Sequence, residues 1–375
     1  MTCAKAPSTE ELSPEFAFIR FELDVRASNE GTDMKDEIGQ RGVSRILTEL
    51  AETGITYNGK RVLVTGGAGF LGSWICDTLV RQEAHVVCLD NFSSGSPENI
   101  EHLKGLENFK LVSHDITQPI FFEEKFDIVM HLASRASPLE FEKYPIQILK
   151  ANTLGIWVAL GIAKKDSAAF LYTSTSEIYG NPSPENIPTP ETYNGNVNPI
   201  GVRGCYDEAK RCGEAYVAAY QREHNLDARV VRIFNTYGPR MRAGDVYGRV
   251  VSRFMDQAIR DQPITIFGDG TQTRSFLYVT DQVEGVLRAA LLPSASHQVI
   301  NIGAEKETTI LELAKIIKRL TGSESPIVHV PLPQDDPARR CPNIDRAKSI
   351  LGWRPKVDLE AGLKDTILWM KPSQH

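Results

Sequence analysis

The sequence has few cysteines, and those it has are not spaced for metal binding. Six cysteines stand at positions 3, 76, 88, 205, 212 and 341, without a CxxC pair and without a Cys/His cluster of zinc-ligand spacing. Disulfide-rich secreted proteins are short, whereas this chain has 375 residues and no signal-peptide pattern at its start. We therefore expect reduced, packing cysteines, no bound metal and a cytoplasmic protein.

Long apolar runs and an excess of positive charge are also missing. No apolar stretch approaches the roughly 18 to 20 residues that a membrane-spanning helix needs. The 42 Lys and Arg residues are outnumbered by 48 Asp and Glu residues, which gives a net charge of −6. Because basic surfaces bind nucleic acids and anionic membranes, neither is expected as a partner. The 28 glycines and 21 prolines are too few for a collagen-like or low-complexity chain.

What the sequence does contain, from Lys60 onwards, is an alternation of short β-branched runs with longer helical segments. Strand-like runs lie at 61–65, 85–89, 110–112, 126–131, 169–173 and 229–234, and helical periodicity covers 74–82, 146–164 and 207–224. This alternation predicts an α/β fold with a Rossmann-type doubly wound parallel sheet. From residue 236 turns are frequent, which indicates a smaller mixed α/β C-terminal lobe for the substrate. Residues 1–59 are predicted to be an N-terminal extension, partly disordered, with one short amphipathic helix at 45–50.

A glycine-rich loop follows the first predicted strand and opens a helix. Its glycines, Gly66, Gly69 and Gly72, allow a tight turn, the close approach of a pyrophosphate and close packing of the helix. Asp90 ends the next strand, where a carboxylate binds the adenosine ribose hydroxyls and repels a 2′-phosphate. The motif predicts a dinucleotide site that takes NAD rather than NADP.

Two further motifs indicate chemistry at the same edge of the sheet. Tyr206 and Lys210 are four residues apart on a predicted helix, so both side chains lie on one face. A nearby ammonium group favours the phenolate, so Tyr206 can act as a base toward a hydroxyl whose carbon loses a hydride. Thr175 ends a strand, where open α/β sheets bind ligands, and its hydroxyl can bond the same substrate oxygen. Ser176 and Glu177 add polar groups there.

Taken together, these residues resemble the extended short-chain dehydrogenase/reductase family of nucleotide-sugar enzymes, and within it the UDP-glucuronate decarboxylases. The resemblance covers about residues 60–370, and the stretch 198–208, NPIGVRGCYDE, is quite specific to the decarboxylase group. The other segments that carry it lie at 131–138, 174–180, 232–241, 248–251, 272–274, 335–340 and 351–355. The resemblance assigns residues 60–235 to the NAD-binding Rossmann domain and 236–375 mainly to the UDP-sugar-binding lobe.

The resemblance implies a reaction that uses tightly bound NAD⁺ and forms UDP-xylose from UDP-glucuronate. Tyr206 would take the proton of the sugar C4 hydroxyl, with Thr175 sharing that oxygen and Lys210 also holding the nicotinamide ribose. The resulting 4-keto acid would lose CO₂, and the hydride would then return from NADH. Glu177 and Arg340 would flank the sugar carboxylate, Arg340 as its partner or as a proton donor.

The same resemblance implies the remaining binding residues and the assembly. UDP would be bound by Asn235, Arg249 and Arg274, since guanidinium groups pair well with phosphate. Substrate contacts would also involve Ser176 and Arg340. The cofactor would be held by the glycine loop and by further residues at the strand ends: Phe70, Leu71, Asn91, Asp115, Ile116, Leu132 and Ala133. Members of the family pair two helices of each subunit into a four-helix bundle, so a homodimer is expected.

Other functions stay open on the sequence. A UDP-sugar 4-epimerase acting between UDP-glucuronate and UDP-galacturonate would share the Tyr–Lys pair, and a non-catalytic NAD-sensing protein would share the fold. A 4,6-dehydratase is disfavoured, because such enzymes carry Asp-Glu where this chain has Ser176-Glu177. Gln118 and Arg135 depart from the decarboxylase pattern, and the segment 245–247 lengthens a loop, so the exact sugar acid and the final product also stay open.

Overall fold

The structure, a computed structural model, describes residues 34–242, 250–332 and 337–371. Its helices are α1 (Met34–Ala51), α2 (Phe70–Arg81), α3 (Pro138–Lys143), α4 (Pro145–Asp166), α5 (Gly204–His224), α6 (Val250–Ile259), α7 (Val279–Leu291), α8 (Ile310–Thr321), α9 (Asp345–Leu351) and α10 (Leu359–Met370). The sheet strands of the first half are β1 (Arg61–Thr65), β2 (His85–Asp90), β3 (Phe109–Ser113), β4 (Ile128–His131), β5 (Ala169–Thr175) and β6 (Ala228–Ile233). The later strands are β7 (Thr236–Tyr237), β8 (Ile264–Phe267), β9 (Thr273–Ser275), β10 (Leu277–Tyr278), β11 (Val299–Ile302), β12 (Glu307–Thr309), β13 (Ile327–Val330) and β14 (Arg339–Arg340).

A seven-stranded parallel sheet forms the centre of the molecule, in the order β3-β2-β1-β4-β5-β6-β11. Its strands are buried nearly throughout, which explains why they are continuous apolar runs rather than alternating ones. The strand order reverses between β1 and β4, and ligands of open α/β sheets bind at the carboxyl ends of the strands beside such a point. The predicted doubly wound α/β fold is confirmed.

The second half of the chain adds three small sheets: β7 with β10, β8 with β13, and β9 with β12 and β14. These mixed elements agree with the smaller C-terminal lobe expected from the sequence. The helix α7 between the two parts is almost entirely buried. Strand β11 also comes from beyond residue 236, yet it pairs in parallel with β6 in the central sheet. The division of the chain at residue 236 therefore stays a prediction.

Helix α1 is longer than the short helix expected at 45–50. Over its 18 residues Ile38, Val43, Ile46 and Leu50 recur at helical spacing and are buried. The helix packs against α2 of the first lobe and against α7 and α10 of the second. Residues 1–33, the first part of the extension predicted to be partly disordered, lie outside the described residues.

Helix α4 is long and apolar enough to span a membrane if length and composition alone are considered. Core helices of globular proteins pass the same test, and α4 packs on β4, on β5 and alongside α5. Its buried side includes Asn152, whose side-chain amide donates to the Ile148 carbonyl and to the Ser134 hydroxyl. The opposite side leaves Ile146, Leu154 and Trp157 exposed.

Candidate active site

A cavity of about 1500 Å³ opens at the carboxyl ends of the central strands and extends to residues of the second lobe. Every predicted site residue that the structure describes lines this cavity: Gly66, Gly69, Phe70, Leu71, Gly72, Asp90, Asn91, Asp115, Ile116, Leu132, Ala133, Thr175, Ser176, Glu177, Tyr206, Lys210, Asn235, Arg274 and Arg340. The predicted Arg249 and the segment 245–247 lie outside the described residues. Residues far apart in the chain are thus brought to one place.

The glycine loop between β1 and α2 leaves no room for a side chain at Gly66 or Gly72. Gly66 has a φ of +72°, and a Cβ there would lie 2.8 Å from the backbone of Ala133. A Cβ at Gly72 would lie only 2.1 Å from the Gly66 carbonyl oxygen, because the first turn of α2 packs directly on the loop. The backbone at the start of α2 is therefore open to the cavity, as a pyrophosphate requires.

Asp90, at the end of β2, fixes the loop and faces the same cavity. One carboxylate oxygen accepts from the Ala68 amide at 2.9 Å and the other from the Phe92 amide at 2.8 Å. Burial raises the pKa of Asp90, although these backbone hydrogen bonds oppose the shift. A glycine-rich loop with a buried carboxylate 18 residues beyond Gly72 fits a dinucleotide whose adenosine ribose keeps its free 2′-hydroxyl.

Helix α5 is held on the sheet by a buried ion pair that involves β6. Arg232 donates to both carboxylate oxygens of Glu214, at 2.9 and 2.7 Å, in the bidentate geometry that guanidinium groups favour. Glu214 also accepts from the Ser174 hydroxyl at 2.6 Å, and Arg232 donates to the Tyr179 hydroxyl at 2.8 Å. This network fixes the position of the helix one turn beyond Lys210.

Tyr206 and Lys210 lie on the cavity side of α5, as their spacing predicts. The Lys210 ammonium donates to the Thr173 carbonyl at 2.8 Å and lies 5.9 Å from the centre of the Tyr206 ring. Burial lowers the pKa of Lys210 to about 7, although Glu214 opposes the shift. The Tyr206 ring stacks on Phe141, with 5.1 Å between the ring centres. This arrangement can stabilise a phenolate beside a substrate hydroxyl.

Thr175 and Ser176 stand where β5 ends and a 3₁₀ turn, Ser176–Tyr179, begins. The Thr175 hydroxyl accepts from the Glu177 amide at 3.2 Å, which caps this turn. A hydroxyl that accepts from an amide keeps its own proton for a second partner. The capping role thus leaves Thr175 able to donate to an oxygen bound in the cavity.

Glu177 is surrounded by guanidinium groups at the end of the cavity formed by the second lobe. Each of its carboxylate oxygens is ion-paired, one with Arg340 and the other with Arg203. Burial alone would raise the pKa of Glu177, but the three neighbouring guanidinium groups, with Arg274 the third, keep it below its usual value. Glu177 is therefore an ionised carboxylate in a cationic surrounding.

Residues 62–303 of this chain match the family model described as the NAD dependent epimerase/dehydratase family. The matched segment runs from the glycine loop through Tyr206 and Lys210 to the last strand of the central sheet. The chain belongs to this family. Its NAD dependence agrees with the cofactor predicted from the glycine loop and Asp90, and that prediction is confirmed.

Within the epimerase/dehydratase family, the chain is similar to proteins that act on UDP-sugar acids. UDP-glucuronic acid decarboxylase 1 of Danio rerio is 48% identical over 308 residues, which are 82% of this chain and 72% of that protein. UDP-glucuronic acid decarboxylase 6 of Arabidopsis thaliana is 47% identical over 304 residues, 81% of this chain and 86% of that protein. The crystal structure of UDP-glucuronic acid 4-epimerase from Bacillus cereus, in complex with UDP-glucuronic acid and NAD, superposes with a TM-score of 0.72 at 27% identity, covering 82% of this chain and 98% of that chain.

Two residues near the cavity were not among the site residues predicted from the sequence. Arg203, just before α5, lines the cavity and contacts Glu177, and Asp207 lies 3.7 Å from the Arg203 guanidinium. Burial and the charge of Glu177 raise the pKa of Asp207 to about 7. The i, i+4 spacing of Arg203 and Asp207 was a signal available in the sequence, but Glu177 is 26 residues from Arg203 in the chain.

Proposed function

We propose that this protein is an NAD⁺-dependent UDP-glucuronate decarboxylase that forms UDP-xylose. The Tyr206–Lys210 pair alone would suit several reactions of the family, because each begins with oxidation at a sugar hydroxyl. The observation that carries the proposal is the ion pair between Glu177 and Arg340 in the same cavity. Arg340 of this pair can bind a carboxylate on the sugar because Arg203 and Arg274 also surround Glu177 and give the cluster an excess of positive charge, and the decarboxylases of Danio rerio and Arabidopsis thaliana are close relatives.

The first step would be the oxidation of the sugar at C4. When bound, NAD⁺ would supply the acceptor for the C4 hydride and, once reduced, the donor that returns it. Tyr206 takes the proton of the C4 hydroxyl, and the charged form of Lys210 favours the phenolate that can do so. Thr175 donates to the same oxygen and orients it. The glycine loop and Asp90 hold the dinucleotide in place.

The second step would be the loss of CO₂ from the 4-keto acid. The carbonyl at C4 is β to the carboxylate on C5, so the electron pair of the breaking C–C bond moves into an enolate at the C4 oxygen. Tyr206 and Thr175 are placed to stabilise that oxygen. Arg340 orients the carboxylate, and C5 takes up a proton before the ketone is reduced again. Asn235 and Arg274 line the part of the cavity assigned to UDP.

The second candidate is a 4-epimerase that acts on the same UDP-sugar acid. The similarity to the Bacillus cereus epimerase favours it, since that protein was crystallised with UDP-glucuronic acid and NAD. Epimerisation would need a carboxylate-binding pocket as well, but it keeps the C–C bond and returns the hydride to the opposite face of C4. The higher identity to the decarboxylases favours decarboxylation.

The deciding experiment is to incubate the purified protein with UDP-glucuronate, with and without added NAD⁺. NMR and mass spectrometry then identify the sugar nucleotide, and released CO₂ is counted. We expect UDP-xylose and one CO₂ for each molecule consumed. A product of unchanged mass with inverted C4 would establish the epimerase instead, and a 4-keto pentose would show a reaction that stops before the ketone is reduced.

We also propose a homodimer in which α4 and α5 of each subunit form a four-helix bundle. These helices pack side by side, and the outer side of α4 exposes Ile146, Leu154 and Trp157 on one face. In the middle of α5 the exposed residues are Cys212 and Ala215, whose small side chains allow another helix to approach closely. An apolar helical stripe with small neighbours is suited to a two-fold symmetric contact between copies of one chain.

A further inference from the structure

Arg203 sits between two carboxylates at the end of the cavity where Arg340 also lies. One side of its guanidinium group is ion-paired with Glu177, and its Nε lies 3.7 Å from the nearer carboxylate oxygen of Asp207. Asp207 is almost completely buried, and its other carboxylate oxygen has no hydrogen-bond partner among the described residues. Burying two carboxylates together is unfavourable unless a cation lies close to both.

The charge balance of this part of the cavity depends on Arg203. Three guanidinium groups, of Arg203, Arg274 and Arg340, surround two carboxylates, those of Glu177 and Asp207. With all five groups ionised the cluster carries one net positive charge, which a single carboxylate on a bound sugar would neutralise. Without Arg203 the cluster would have no net charge, and the same sugar carboxylate would make it negative.

We propose that Arg203 is a specificity-determining residue that makes this pocket accept an acidic sugar in preference to a neutral one. By pairing with Glu177 it offsets the carboxylate that would otherwise repel the sugar acid and compete with it for Arg340. The inference rests on the proposed function, because the acidic group is taken to be the C5 carboxylate of UDP-glucuronate.

Arg203 also contacts an aromatic ring, and the effect of that contact on binding has to be distinguished from the effect of its charge. Its guanidinium carbon lies 5.7 Å from the centre of the Phe141 ring, and Phe141 stacks on Tyr206. A substitution could therefore act through the packing around Tyr206 instead of through the pocket charge. Lysine keeps the positive charge but lacks the planar group that lies over a ring, so Arg203→Lys distinguishes the two effects.

The test measures binding of UDP-glucuronate and of UDP-glucose to the NAD-loaded protein by titration calorimetry, with Tyr206→Phe added to the wild type and to every variant so that UDP-glucuronate is bound without being turned over. The two ligands share the nucleotide and differ at the sugar carboxylate. We compare the wild type with Arg203→Gln and Arg203→Lys, and with Arg222→Gln as a control that removes one exposed charge from the end of the same helix. We expect Arg203→Gln to lower the preference for the acidic ligand roughly 10- to 100-fold, from the loss of a close charge in a partly buried site.

We expect Arg203→Lys to keep most of the preference and Arg222→Gln to keep all of it. Equal weakening of both ligands by Arg203→Gln, or a lysine variant as impaired as the glutamine one, would overturn the inference. Failure of the proposed function looks different: the wild type itself would then show no preference for the acid, or would bind it without releasing CO₂.

Discussion

At the scale of single residues, the chemistry of this site depends on how deeply Lys210 is buried. Its ammonium group has one carbonyl partner, at 2.8 Å, and lies close to the rings of Tyr172 and Tyr206. A cation in such surroundings is poorly solvated, so its proton is bound weakly and its pKa falls to about 7. The same residue that favours a Tyr206 phenolate therefore titrates near neutral pH.

Replacing Tyr206 by Phe should abolish turnover without releasing the cofactor. The ring and its stacking on Phe141 remain, whereas the group that moves the proton is lost, and such groups contribute about 10²- to 10⁴-fold to rates. Turnover of UDP-glucuronate and the NAD content of the purified protein are measured together. Tyr220→Phe, on the same helix, serves as the control. A Tyr206→Phe variant with a near-normal rate would remove Tyr206 from its role as base.

Lys210 should make stability depend on pH. Between its folded pKa of about 7 and the unfolded value near 10.4, the unfolded chain binds one proton more than the folded chain. The free energy of unfolding therefore rises with pH in this range, by at most about 1.4 kcal/mol per pH unit from this residue. Below pH 7 both states are protonated and this contribution stops changing.

The prediction is tested by urea unfolding of the NAD-free wild type and of Lys210→Met at pH 7 and pH 9. The wild type should gain about 2 kcal/mol relative to the methionine variant over these two pH units. The methionine variant cancels the contributions of all other titrating groups from the comparison. A difference between the two proteins that does not change with pH would mean that Lys210 is charged in the folded state throughout this range.

At the scale of elements, helix α1 joins the two lobes outside the segment that the family model matches. On the first lobe, Gly42 packs on the indole ring of Trp74 in α2. On the second lobe, Arg41 is ion-paired with Asp365 of α10 at 2.6 Å. The guanidinium of Arg240 lies over the ring of Trp74, 4.5 Å from the ring centre. Helix α1 therefore packs against α2, and the first turn of α2 faces the cofactor site.

Gly42→Val should destabilise the protein by about 2 kcal/mol, the usual cost of overpacking a filled interior. A Cβ at this position would lie 2.6 Å from the Trp74 ring, so either the helix or the ring must move. The measurement is the free energy of unfolding in urea. Gln40→Val, which places the same side chain on the exposed side of α1, should have little effect. Equal stabilities of the two variants would show that α1 does not pack on Trp74 as described.

At the scale of the whole molecule, the cavity lies between a rigid sheet and a lobe made of small sheets. The cofactor end is built from the central sheet, whereas Arg274 and Arg340 come from neighbouring strands of the second lobe, β9 and β14. These two strands pair in parallel, which places the two guanidinium groups side by side in register. If these two residues bind the proposed substrate, binding depends on the second lobe keeping its position over the sheet.

Trp157→Glu should convert the proposed homodimer into a monomer. The side chain is 54% exposed near the middle of α4, and a charge there would be buried without a partner in the helix bundle. Light scattering after size-exclusion chromatography gives the mass of each variant. Phe121→Glu is the control, since Phe121 is 91% exposed but lies elsewhere. A wild type that is monomeric at micromolar concentration, or a Trp157→Glu variant that remains a dimer, contradicts the proposal.

The sequence by itself determined the features that depend on neighbours in the chain. The glycine loop with Asp90, the Tyr206–Lys210 spacing and the alternation of strands and helices are local patterns, and the structure has all of them where they were expected. Only the tertiary structure decided which charges form ion pairs, although the resemblance already implied that Glu177 and Arg340 lie at the same sugar carboxylate. Glu177 contacts Arg203 and Arg340, which are 26 and 163 residues away, and α1 runs 18 residues where a short helix was expected. Ion pairs between distant segments and the burial of a helix face depend on how elements pack, and no local pattern encodes that packing.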